Sequence, residues 1–275
     1  MKVLVSVDIE GIAGVFHGEQ IRPGNPEYER ARRWMTEEAN AAVEGALAGG
    51  ASEILVSDGH AHYRNLLADL LHPAARLAQG KPQALGMLAG LDDTVDGIIM
   101  VGYHGMAHSR GILAHTLNGY AFAGVWRDGV EIGEAGIYGS LAAEHGVPVI
   151  LASGDDVLGA EARGCFPDAS VVCVKTAGGC LSGISSSPQQ ARTLLRDSAR
   201  EAVARLAEGS LASPAPHRKT AQWRLQAGSV QLADLFAQLP LLERPDAVTL
   251  EFAAPSTAYA VRVLNCLSAM SAALR

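Results

Sequence analysis

The 275-residue chain reads as an α/β protein: a mostly parallel sheet flanked by helices, with a second, smaller α/β domain after it. Three observations carry that expectation. Runs of almost unbroken apolar, β-branched residues recur at 2–7, 97–101 and 147–152, as strands covered on both faces do. Helical periodicity fills much of the chain between such runs, which implies βαβ units with right-handed crossovers. Each run ends in Gly, Asp, Glu or His, at the edge where open parallel sheets bind ligands.

The opening stretch MKVLVSVDIEG places the first strand at 2–7. Successive strand side chains alternate faces, so Ser6, Asp8 and Glu10 point the same way if the chain stays extended. Two carboxylates sharing one face of a low-dielectric crevice call for protonation, a basic partner or a metal cation. The glycine-containing segment GIAGV leads to a helix over 26–48. Asn25 suits its cap and Pro26 its first turn, Tyr28, Ala31, Met35, Ala39, Ala42, Val43 and Ala46 repeat at helical spacing, and Gly49-Gly50 stop it. A second strand, 53–57, ends in DGH, and a third, 97–101, ends in GYH.

The stretch GYAFAGVWRDGVE (119–131) predicts a hairpin turning at Asp128-Gly129. A helix from about 134 to 145 precedes the strand at 147–152, which ends in SGDD, and 171–175 is one more strand. The Gly/Ser stretch TAGGCLSGISSSP lacks phosphate-loop spacing and reads as a flexible turn. A helix over 188–207 runs into GSLASPAPHRK, whose composition marks a linker. That divides the chain into a catalytic domain, 1–208, and a smaller domain, 219–275. The second carries a strand at 220–226, a helix at 230–239, a strand at 247–252 and a closing helix from about 256 to 274.

Composition narrows the function. With 48% hydrophobic residues the chain can bury a sizeable core, and its formal charge of −7, without a basic stripe interleaved with aromatics, argues against nucleic acid as a partner. The first strand begins at Met1 and no later run approaches the apolar length of a membrane span, so a cytoplasmic protein without a membrane partner is expected. The four cysteines form no CxxC pair and are expected to be reduced and structural.

Parallel topology brings the strand ends to one edge, and with them Asp8 and Glu10, Asp58 and His60, His104, and Asp155 and Asp156. Each group alone has a plainer explanation. Asp58-Gly59 and Gly154-Asp155-Asp156 suit turns, a lone His60 suits a structural hydrogen bond, and Asp8 and Glu10 suit helix capping or an ion pair with an arginine such as Arg30. Together they favour a metal centre. Two carboxylates with two imidazoles suit zinc, and a shared carboxylate suits a two-metal site. His17, His62, His108 and His115 lie near the same loops, and periodicity does not choose among them. His72, His145 and His217 read as solvated helix ends or linker.

The segment SVDIEG resembles the SxDxEG signature of the zinc-dependent D-aminopeptidase family. The similarity continues in order through MTEEAN, SDGH, GLDDT, VGYHGMA, the AHT around His115 and IGEAG, and weakens after about residue 156. The resemblance implies two zinc ions per chain held by Asp8, Glu10, His60, His104 and Glu134, with Asp8 as the bridging carboxylate. Glu134 enters by resemblance alone. It also implies a direct catalytic role for His115, removal of the N-terminal residue, D- or L-, from short peptides, and a ring-like homo-oligomer. Two rivals stay open: a dinuclear amidohydrolase acting on cell-wall-type peptides, and a non-catalytic dipeptide-binding, transport-associated protein.

Overall fold

The computed structural model describes residues 1–211 and 220–275, so most of the expected linker and His217 lie outside the described residues. In chain order the elements are β1 (Lys2–Val7), α1 (Pro26–Ala48), β2 (Glu53–Asp58), β3 (Ala75–Ala78), β4 (Gly97–Tyr103), β5 (Phe122–Arg127), β6 (Val130–Glu131), α2 (Glu134–Glu144), β7 (Val149–Asp155), α3 (Asp156–Cys165), β8 (Ser170–Gly179), β9 (Ser182–Ser185), α4 (Pro188–Ala207), β10 (Ala221–Ala227), α5 (Val230–Phe236), β11 (Thr249–Ala254) and α6 (Thr257–Met270).

The main sheet runs β3-β2-β1-β4-β7-β8-β9, parallel throughout except for the antiparallel β8–β9 edge. Strand order grows leftward from β1 through β2 to β3 and rightward from β4 through β7 to β8. The reversal between β1 and β4 is the topological switch point, the crevice where such sheets bind ligands. Val3, Val5 and Val7 turn toward α1 and α4, and Leu4 turns the other way with Met100 and Ala152, as strand alternation requires. Gly45 lets α1 and α4 approach closely, because a Cβ there would overlap the Arg196 carbonyl oxygen.

On the far side of the sheet lies a second, antiparallel sheet ordered β11-β10-β5-β6. Its β5–β6 hairpin turns at Asp128-Gly129 with φ of 50° and 84°, the left-handed pair that this dipeptide predicts. The segment after the linker thus shares its sheet with 122–131, since β10 pairs with β5 through Leu225 and Val125. Trp223, Leu225, Phe252, Leu264 and Leu267 join one apolar core with Tyr138 and Leu141 of α2.

Three expectations change. The stretch read as a flexible turn, 176–188, is mostly the β8–β9 hairpin, whose exposed, glycine- and serine-rich edge lacks the apolar alternation that marks a buried strand. The DD pair joins strand to helix: Asp155, the last residue of β7, caps α3 and Asp156 begins it, and caps and turns use the same residue types. Finally, 257–274 is long and apolar enough by length and composition to cross a membrane, yet Ala260, Val261, Leu264 and Leu267 are buried in the core.

Candidate metal centre

At the switch point the chain leaves β1 and turns at once. Asp8 N–H donates to Val101 O at 2.8 Å, and Gly11 N–H to Gly102 O at 2.7 Å, so the turn is laced onto the end of β4. Gly102 takes φ +70°, and a Cβ there would overlap the Asp8 carbonyl oxygen. Asp8 and Glu10 are brought together by this turn, since β1 ends at Val7 and strand alternation does not extend to them.

His60, in the loop after β2, lies between the two carboxylates: its Nδ1 is 3.0 Å from Glu10 Oε2 and 3.4 Å from Asp8 Oδ1. His104, just past β4, has Nε2 3.5 Å from Asp8 Oδ2 and 3.3 Å from Oε1 of Glu134, the first residue of α2. His115 stacks on His104 with centroids 4.2 Å apart and planes 8° from parallel, and its Nε2 is 3.8 Å from Glu134 Oε1. All six residues named by the resemblance therefore meet in one cluster, of which only His115 is more than 8% exposed. Arg30 is exposed, and the ion pairs of Asp8 and Glu10 are with His60 and His104 instead.

Each imidazole is oriented by its other nitrogen. His60 Nε2 lies 2.9 Å from Ile21 O, His104 Nδ1 3.0 Å from Gly105 O and His115 Nδ1 2.9 Å from Leu113 O. A carbonyl only accepts, so those nitrogens carry the hydrogen, and a neutral ring presents its lone pair to the carboxylates. This is how histidine ligands are set in metal sites. Glu134 is held by Leu117 N–H at 2.7 Å on Oε1.

The electrostatics suit a divalent cation. Burial opposes charging His60 and His104, yet the carboxylates of Glu10, Asp8 and Glu134 outweigh it and raise both rings well above the usual imidazole value. Burial would lift Asp8 and Glu134 too, but the imidazoles hold both below the usual carboxylate range. His104 Nε2 and Glu10 Oε2 are fully buried and make no well-formed hydrogen bond, although charged partners stand 3.0–3.5 Å away. Asp8, Glu10 and His104 offer three ligand atoms within 4.8 Å of one another, and His104, His115 and Glu134 offer three more. Mixed carboxylate and imidazole donors fit zinc.

The other strand-end carboxylates do structural work. Asp58 accepts from Asn65 N–H, Asn65 Nδ2 and Leu66 N–H at 2.6–2.7 Å, which shapes the loop carrying His60. Asp155 accepts from Leu158 N–H and Ile112 N–H, which ties down the loop carrying His115. Asp156 accepts from Ala177 N–H. His17 caps a short 3-10 turn, and His62 and His108 are exposed. Five non-glycine residues in these two loops, Ala61, Tyr63, His108, Leu113 and Leu117, adopt positive φ, a local strain that clusters at functional sites.

Lys175 escaped the pattern reading. It lies on β8, 2% exposed, and its Nζ donates to the carbonyls of Glu10 and Val15 at 2.6 and 2.7 Å. Burial pushes its pKa down to about 8 against the pull of Asp155, Glu38 and Glu10. A lysine ending the apolar run VVCV was the available signal. Lys175→Met orphans two carbonyls of the turn bearing Glu10, each worth about 1–3 kcal/mol. Zinc affinity, measured against a competing chelator, is expected to fall by roughly 10- to 100-fold, as for other supports of metal ligands.

Comparison with known proteins adds three findings. A model of the D-aminopeptidase family matches residues 1–266. A curated D-aminopeptidase of Bacillus subtilis (strain 168) is 36% identical over 175 residues, which span 64% of this chain and 64% of that protein. A solved structure, described as the Zn-dependent D-aminopeptidase DppA from Bacillus subtilis, a self-compartmentalizing protease, matches with a TM-score of 0.91 at 28% identity, over 98% of each chain.

Proposed function

Since the chain belongs to the D-aminopeptidase family, we propose that it is a zinc-dependent aminopeptidase that removes the N-terminal residue from short peptides, with Asp8, Glu10, His60, His104 and Glu134 holding two metal ions and Asp8 shared between them. The observation that carries this reading is the buried Asp8–His104–Glu134 line, flanked by Glu10 with His60 on one side and His115 on the other. Zinc bound there supplies Lewis acidity, which polarises an amide carbonyl and makes hydroxide available near neutral pH.

The chain's own groups do the rest. His115 is half-buried at the cluster's edge with Nε2 directed inward, placed to hold a proton and pass it to the departing amine. Glu134 and Leu117 N–H fix the height of that loop, and the wall of Tyr63, Met87 and Tyr138 restricts access beside Glu134. A ring-like homo-oligomer accompanies this reading. It is supported by the self-compartmentalizing description of the structural relative and by Leu181 and Ile184, 56% and 79% exposed on the β8–β9 edge.

The test is a panel of D- and L-aminoacyl amides, short peptides and cell-wall peptide fragments, assayed with and without chelator. Chelator-sensitive release of the N-terminal residue is expected. Cleavage only within cell-wall fragments would favour the amidohydrolase, and binding without cleavage would favour the transport-associated protein.

A further inference from the structure

A small cavity opens beside the cluster, with Glu134 and Tyr138 on one wall and Tyr63, Lys81, Asn265 and Ser268 around the rest. Lys81 is the cationic member of that lining. Its Nζ sits over the Tyr63 ring, 4.4 Å from the centroid, and among the described residues no carboxylate pairs with it. The segment is anchored, because Gly80 N–H donates to Tyr63 O at 2.5 Å. Tyr63 itself is 4% exposed with φ of 54°. Deeper in, fully buried Tyr138 lines the cavity, its hydroxyl near Tyr63 and the Met87 backbone. The cavity therefore presents an ammonium at its rim and the Tyr138 side chain deeper in, next to a carboxylate of the metal cluster.

Resting on the aminopeptidase reading, we propose that the Lys81 ammonium binds the terminal carboxylate of a peptide whose first residue lies at the metal cluster, so that the free acid is favoured over its amide. Two extended residues span at most about 7 Å, and the cavity shares Glu134 with the metal cluster, so a carboxylate one residue past the scissile amide is directed to its lining. An ammonium held over an aromatic face, sharing its cavity with Glu134 but in salt-bridge contact with no carboxylate, can take an anion, and a charged hydrogen bond there separates a free acid from its amide.

The experiment compares kcat/KM for an aminoacyl-glycine and the matching aminoacyl-glycinamide on the zinc-loaded enzyme. The wild type is expected to prefer the free acid about tenfold, from one charge-assisted contact at a half-open rim. Lys81→Met should bring the ratio to about one, and Lys81→Glu should reverse it. An aminoacyl-aspartamide with a free side-chain carboxylate separates the two carboxylate sources: if it keeps the free acid's advantage, the assignment to the peptide terminus is overturned. A wild-type ratio near one, or a Lys81→Met enzyme with the wild-type ratio, overturns the role of Lys81. If neither substrate is cleaved, it is the aminopeptidase reading that fails. Calorimetric binding of a dipeptide and its amide then judges Lys81 separately, with equal affinities counting against it.

Discussion

Zinc and hydrolysis are expected to disappear together in His104→Ala. The ring is 1% exposed and its Nε2 stands between Asp8 and Glu134, the carboxylates on the two sides of the cluster. Its tautomer is fixed by Gly105 O, so the nitrogen facing them is the one able to donate a lone pair. Removing it leaves two buried carboxylates facing each other across a gap with one cationic or ligating group fewer. Loss of a supporting partner already costs roughly 10- to 100-fold in metal affinity or activity, and loss of the ligand itself is expected to exceed that. Elemental analysis and kcat on the same preparation check it. A His104→Ala protein with full zinc and full kcat would remove His104 from the ligand set.

His115→Ala is expected to separate what His104→Ala couples. The His115 ring lies flat on His104 at 4.2 Å, yet it is half-buried and its Nε2 is 3.8 Å from Glu134, the longest of the cluster's imidazole–carboxylate distances. That position suits a group that meets substrate at the rim. The variant should therefore keep its zinc and its KM while kcat falls by roughly 10²- to 10⁴-fold, the range for a lost general acid or base. Loss of zinc would make His115 a ligand, in keeping with the three-atom group it forms with His104 and Glu134. Retention of both zinc and kcat would make it an ordinary loop residue.

Much of the scaffold was legible because buried strands and capped helices carry strong local signals. Asn25 and Pro26 open α1, Asp128-Gly129 turn the hairpin, and α4 begins and ends at Pro188 and Ala207 as its periodicity implies. Short edge strands such as β3 and β9 left no such mark, because half-exposed residues need no alternation. At the site, convergence of strand ends brought the candidate carboxylates to one edge of the sheet but did not tell their surroundings apart. Asp58 and Asp155 stand at strand ends as Asp8 does, and only the structure separates a carboxylate consumed by backbone N–H groups from one facing imidazoles. Glu134 was invisible to pattern for a different reason: an acid in the first turn of a helix is what the helix dipole favours anyway. Lys175 was missed because its partners are main-chain carbonyls 160 and 165 residues away.

Returning zinc to the chelator-stripped enzyme and following bound metal and aminoacyl-amide hydrolysis in the same titration tests most directly whether this buried cluster is a two-zinc hydrolytic centre. Activity should be absent without metal and saturate at two zinc ions per chain, with Asp8→Asn, at the carboxylate proposed to be shared, failing to hold the second. Hydrolysis that survives stripping, or that saturates at one zinc with no second ion bound, would contradict it.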